Sequence, residues 1–342
     1  MSGVRDPVAA DIRPFGTLKD GRAVDAVRLQ QGELSVTVLT LGAILQDVRL
    51  AGAPWSLTLG SDRIAAYDHG PMAYHGAVVG PVANRIAGAT APLDGRVLRF
   101  DANEAGRTCL HGGATGLATR VWDIVDAGPH HLTLRLTLTD GEGGFPGNRR
   151  LDAAFVLGSA ADLTLSLTAT TDAPTLMNLT NHSFWSLDGR ASTVGHSLRV
   201  AADHYLAVDD DRIPMGGPPA AVAGSRFDLR SGAVPDLSAG FDHNWCLAPS
   251  RRPLSFAAEL TGQSGVRLVM DTTEPGLQIY DGARMDTAPY PGHSGQPYGA
   301  NAGIALEAQG WPDAPNRPDF PAVRLDPGQN HSQVTRWRFS RG

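Results

Sequence analysis

HLTLRLTLTD (131–140) and DLTLSLTATT (162–171) repeat with a period of two. Leu132, Leu134, Leu136 and Leu138 alternate with Thr133, Arg135, Thr137 and Thr139, and Leu163, Leu165 and Leu167 alternate with Thr164, Ser166 and Thr168. Successive side chains of an extended strand point to opposite faces, so such runs bury one face and wet the other. LSVTVLTLGAILQDVRL (34–50), GVRLVMDTT (265–273), GLQIY (276–280) and TRWRFS (335–340) add further strands. Helical periodicity is scarce; SDRIAAYDHG (61–70) holds at most one short turn of helix. The 40 Gly and 24 Pro are spread along the chain and punctuate many short strands. The pattern predicts an all-β protein, a large antiparallel β sandwich with long polar loops. No repeat or linker breaks the chain, so residues 1–342 read as a single domain, and DAPNRPDFP (313–321) reads as a rigid loop.

Composition narrows the function. The 342 residues carry 29 Lys and Arg against 35 Asp and Glu, a net charge of -6 without a basic patch. That argues against nucleic acid as a partner and suits a neutral or mildly polar small molecule. No apolar run approaches a membrane span. The opening MSGVRDPVAADIRPFG lacks the apolar core of a secretory signal, so a cytoplasmic location is expected. Cys109 and Cys246 make no disulfide framework and read as buried free thiols.

MNLTNHSFWSL (177–187) poses a harder problem. A core strand would not want its Asn and His residues, and a surface loop would not need its aromatics. The mixture suits the floor of a polar cleft, with Trp185 as a face for a ligand. Four other segments concentrate polar residues: GPVANRIAG (80–88) with Asn84 and Arg85, CLHGGATGL (109–117) with His111, GFDHNWCL (240–247) with Asp242, and GIALEAQGWPDAPN (303–316) with Glu307 and Gln309. Plainer readings exist for most. Asn84-Arg85, His111-Gly112-Gly113 and Asp242-His243 also read as turns, and His182 as a core imidazole satisfied by backbone. Glu307 is different: it stands in a strand of Ile304, Ala305 and Leu306, and a carboxylate is costly to bury there without a purpose. Alternation puts Glu307 and Gln309 on one face. The spacings match no zinc signature, although a sandwich can assemble scattered ligands. A Gly-x-Ser-x-Gly elbow and a phosphate-binding glycine loop are both missing from the sequence.

In this order, Ala83-Asn84-Arg85-Ile86, Leu110-His111-Gly112-Gly113, Gly144-Phe145-Pro146-Gly147-Asn148, Thr180-Asn181-His182-Ser183, Asp242-His243-Asn244 and Leu306-Glu307 resemble the aldose 1-epimerase (galactose mutarotase) family. The resemblance runs from about Gly16 to the C-terminus. It implies a β-supersandwich, an aldose sugar as the small-molecule partner, and neither metal nor organic cofactor. It implies Glu307 as general base and His182 as general acid. It implies Arg85, His111 and Asp242 as substrate-holding residues, with Asn84 and Gln309 as further contacts. Pro81 after Gly80, and Asp281-Gly282-Ala283 after Tyr280, depart from the family pattern and touch the rim of the pocket rather than its catalytic residues.

The implied reaction interconverts α and β anomers of a free aldose. The C1 hydroxyl loses a proton, the ring oxygen gains one, the ring opens, and it recloses on the other carbonyl face. Two well-placed acid/base groups suffice. Rival readings are an epimerase of a hexose 6-phosphate, which would want additional cations, with Arg149-Arg150 an unplaced pair; a non-catalytic sugar-binding module; and a glycoside hydrolase pairing Asp242 with Glu307.

Overall fold

The computed structural model describes residues 10–237 and 240–342. Two antiparallel sheets organise the molecule. The larger has eight strands in the order Asp123–Ala127, His131–Leu138, Arg149–Gly158, Asp162–Thr171, His331–Arg341, Val266–Thr272, Ser255–Thr261, Ser197–Val200. The smaller has six, Phe184–Trp185, Ile304–Gln309, Gly276–Tyr280, Asp242–Cys246, His204–Tyr205 and Ala220–Ala221. A four-stranded meander, from Asp11–Thr17 to Ile44–Leu50, flanks them. The all-β expectation holds, and SDRIAAYDHG contributes one short helix, Ile64–Tyr67.

The two leucine runs that announce the fold pair with the same central strand. Leu163 faces Leu157 of Arg149–Gly158 and Trp337 of His331–Arg341, so the leucine rows of adjacent strands share a face. That face packs on the smaller sheet. Trp185 sits with ring centroids 5.7 Å from Trp337 and 5.6 Å from Phe339. Trp245, Leu277, Ile279, Ile304 and Leu306 complete this layer.

The other face of the smaller sheet positions the site. Asp242 pairs with Tyr280, Tyr280 with Ala305, and Ala305 with Phe184. One pleat along, Asn244 pairs with Gln278 and Gln278 with Glu307. Paired residues in a ladder point the same way, so Asp242, Tyr280, Phe184, Gln278 and Glu307 all leave the sheet on the side away from the tryptophans. All six residues of Ile304–Gln309 are buried, because loops close over this second face as well.

Candidate active site

Loops bring the remaining side chains to that face. Arg85–Ile86 pairs with Cys109–Leu110, which sets Asn84 and His111 side by side. The His111 N–H donates to the Asn84 carbonyl at 3.0 Å, and the Asn84 N–H donates to His111 Nδ1 at 3.1 Å. Both residues hold left-handed backbone, φ 62° and 53°, a conformation that is costly outside glycine and clusters at functional sites. Gly112 follows at φ 86°, where a Cβ would lie 2.1 Å from the Gly80 carbonyl oxygen, so no other residue fits the turn.

The polar run of MNLTNHSFWSL is explained by clamps. The Asn178 amide exchanges two hydrogen bonds with the Gly310 backbone, locking the end of the Glu307 strand. Asn181 donates to the Gly76 carbonyl and accepts from both the backbone and the hydroxyl of Ser183. The His182 backbone bonds Ala77 and Gly76. Of the polar side chains in this run, the His182 imidazole is the one that lines the cleft. Trp185 is wholly buried in the core. The expectation that it presents a face to a ligand fails, because alternation turns it to the opposite side from Phe184, and of the two it is Phe184 that lines the cleft, beside Tyr74, Phe241 and Tyr280.

The cleft has a volume of about 350 Å³ and takes Asn84, Arg85, His111, His182, Asp242 and Glu307 into its lining. Gln309 is absent from it. That residue sits one pleat beyond Glu307, opposite Gly276 and fully buried, with the strand carrying it out of reach of the opening. Cys109 is buried as expected, whereas Cys246 is half-buried. Arg149 is fully buried far along the chain's other sheet and donates to the carbonyls of Gly147, Thr139 and Glu142, so the Arg149-Arg150 pair supplies no cation here. Lining residues that the sequence reading did not flag include Tyr74, His75, Glu104, Arg212 and Arg284, whereas Tyr280 and Asp281 lie, as expected, in the lining. Gln278, beneath them, also escaped it. It bears the same signal as Glu307, a polar residue between Leu277 and Ile279.

Arg85 is fixed before any ligand arrives. Its Nε and one Nη donate to both Glu104 oxygens at 2.7 Å, and its other Nη reaches Asp242 at 3.4 Å. Glu104 also accepts from the Thr108 hydroxyl. Gln278 donates to the second Asp242 oxygen at 2.6 Å. A planar guanidinium with a bidentate partner is a rigid donor, which suits recognition of hydroxyl groups.

His182 Nε2 lies 3.6 Å from Glu307 Oε1. Among the described residues, the other Glu307 oxygen and His182 Nδ1 have no protein partner. Burial raises the Glu307 carboxyl well above its ordinary range, with Asp242 adding to the shift and Arg85 opposing it. Burial lowers the His182 imidazole to about 4. Low-dielectric surroundings disfavour the charged form of each. His111 is likewise held well below the usual imidazole value by burial and by neighbouring His182.

His111, His182 and Glu307 offer ligand atoms within 4.8 Å of one another, a donor set a divalent metal could use. The His111 tautomer argues against it. Its Nδ1 already accepts the Asn84 N–H, so a neutral ring carries its proton on Nε2 and has no lone pair there for a metal. The same fact makes His111 Nε2–H a fixed donor into the cleft.

A buried carboxylate and imidazole in contact, with a clamped arginine and a locked imidazole donor beside them, define an acid/base enzyme for a small hydroxylated molecule. Comparison with known proteins gives the family. The aldose 1-epimerase profile matches residues 25–338. Galactose mutarotase of Bos taurus is 35% identical over 340 residues, covering 95% of this chain and 97% of that protein. Aldose 1-epimerase of Escherichia coli K12 is 33% identical over 321 residues, covering 89% and 91%. Among solved structures, an aldose epimerase homologue from C. elegans superposes with a TM-score of 0.86 at 30% identity, covering 93% of this chain and 99% of that one. A galactose 1-epimerase from Lactobacillus acidophilus gives 0.83 at 26%, covering 98% and 99%. The chain belongs to the aldose 1-epimerase family and is an isomerase.

Proposed function

We propose that this chain, acting as one domain, interconverts the anomers of a free aldose, with Glu307 and His182 as the proton-transferring pair. The observation that carries the assignment is their 3.6 Å contact at the buried end of a sugar-sized cleft. The pair holds one mobile proton. In the empty cleft burial favours the neutral form, with the proton on Glu307. A bound sugar supplies what that form lacks: the C1 hydroxyl donates to the carboxylate, and the ring oxygen accepts from the imidazolium. Both contacts favour the ionised form, Glu307 as base and His182 as acid. Glu307 then takes the O1 proton while His182 protonates the ring oxygen, and the ring opens to the aldehyde. After rotation about C1–C2 the same protons return and the ring closes with inverted C1. The proton inventory is restored at every turnover, so the chemistry needs no cofactor. Arg85, Asp242, His111 Nε2–H and Asn84 hold the sugar hydroxyls.

The test uses a methyl glycoside beside its free sugar, followed by proton NMR. Methylation removes the O1 proton, so the glycoside is expected to stay intact and anomerically fixed while the free sugar equilibrates. Release of methanol would instead favour hydrolysis by Asp242 and Glu307.

A further inference from the structure

The sugar cleft does not end at Arg85. It opens into an adjoining basin of about 170 Å³ that shares Arg85, Glu104, Arg212 and Arg284 with it. The arginines there are not equivalent. Arg85 is committed to Glu104 and Asp242, and Arg107 to Asp211 at 2.7 Å. Arg212 and Arg284 line both cavities, and among the described residues neither forms an ion pair with a carboxylate. Both side chains spring from anchored backbone. Arg212 stands at φ 63° in a turn where Asp209 accepts the N–H groups of Asp211 and Ile213. The Arg284 N–H donates to the hydroxyl of Tyr280, itself a lining residue. The carboxylates of the outer basin are largely spent: Glu104 on Arg85, Asp211 on Arg107, leaving Asp210.

We propose that Arg212 and Arg284 form an anion subsite for a negatively charged group on the aldose remote from C1, a carboxylate or a phosphate. The proposal rests on the anomerase reading above. The inner cleft, with Asp242 and with a Glu307 that ionises as the sugar binds, repels such a group, so the charge distribution also sets direction: C1 toward Glu307 and His182, the charged end toward the two arginines. These are the additional cations that a phosphorylated substrate would want, and no sequence spacing brings residues 212 and 284 together. Two guanidiniums facing one anion give charge-assisted bonds whose value is cut by solvent at a partly open rim. The expected preference is therefore about tenfold rather than a thousandfold.

The experiment compares a hexose, its uronic acid and its 6-phosphate, by polarimetry for kcat/KM after subtracting spontaneous mutarotation, and by calorimetry for binding. One or both anionic sugars should exceed the neutral one by about tenfold in each measurement. The advantage should shrink toward parity between low salt and 0.5 M salt, where the screening length drops to a few ångströms, and in the Arg212→Gln/Arg284→Gln double variant. Preference for the uronic acid or for the phosphate alone identifies the group. Equal or better binding and turnover of the neutral sugar by the wild-type protein overturns the subsite, as does a preference that survives the double substitution. If anionic sugars bind more tightly yet no sugar is anomerised, the subsite stands and the catalytic reading fails.

Discussion

Glu307 is the residue on which the chemistry turns. Replacing its carboxylate with the isosteric amide, Glu307→Gln, keeps the volume and removes the base. Turnover is expected to fall by about 10²–10⁴-fold, with sugar affinity changed only a few-fold. A variant retaining most of the wild-type rate would remove Glu307 from the mechanism. The one-proton pair also fixes the pH profile. Activity is lost on the acid side only when a second proton enters the pair, and burial holds the His182 imidazole at about 4. The plateau of kcat/KM should therefore extend well below pH 6.5, the ordinary imidazole value. An acid limb centred at 6.5 would mean that an unperturbed histidine controls the rate. At this scale the sequence was legible where a residue contradicted its neighbours, as Glu307 does among Ile304, Ala305 and Leu306. Phe184 and Trp185 were not separable, because adjacent strand residues face opposite ways and composition does not say which face is wet. Structure resolves them: the Trp185 ring joins the core and Phe184 the cleft.

The strand row is the next scale. Asp242, Gln278 and Glu307 come from three neighbouring strands, and Gln278 ties the first to the middle by its 2.6 Å bond to Asp242. Asp242 also reaches Arg85, so Gln278 acts on substrate through the carboxylate it orients. Gln278→Leu preserves approximate volume and removes that donor. Sugar KM should rise about tenfold, as expected for one lost bond to a charged group, while kcat falls by no more than a few-fold. An unchanged KM in a folded variant would reduce Gln278 to packing. The strands themselves were readable from period-two runs. The two-residue ladders that deliver the loops, Arg85–Ile86 on Cys109–Leu110 and Thr180–Asn181 on Val78–Val79, are too short to leave a periodic signal. Their side chains stood out as polar clusters that also read as turns, and the family resemblance decided between the two readings; Tyr74, His75 and Glu104, which lay outside those segments, were missed.

Across the whole molecule, the sandwich buries histidines in number. Burial lowers His75 and His331 to about 3 and His182 and His243 to about 4, and also lowers His111 and His196. In the unfolded chain each titrates near 6.5. Below that pH unfolding takes up protons at these sites, so each withdraws stability as pH falls from 6.5 toward its folded value. Three buried carboxyl groups oppose the trend. Glu307, Glu274 and Asp281 are raised by burial, bind protons more readily when folded, and add stability over the same fall. Six imidazoles against three carboxyls leave proton uptake on unfolding, so the net sign is loss of stability in acid. Each net proton contributes about 1.4 kcal/mol per pH unit, so the total is a few kcal/mol per unit against a typical stability of about 5–15 kcal/mol. Denaturant melts between pH 7 and 5 should show a steep fall in midpoint. His331 offers an independent check outside the cleft: it is buried between Arg251, whose Nη lies 2.9 Å from its Nδ1, and Gln333. His331→Asn should lower stability at neutral pH yet flatten the pH dependence by about one proton's worth. A stability that holds or rises between pH 7 and 5, or a His331→Asn slope equal to wild type, would show that these imidazoles are protonated in the folded protein.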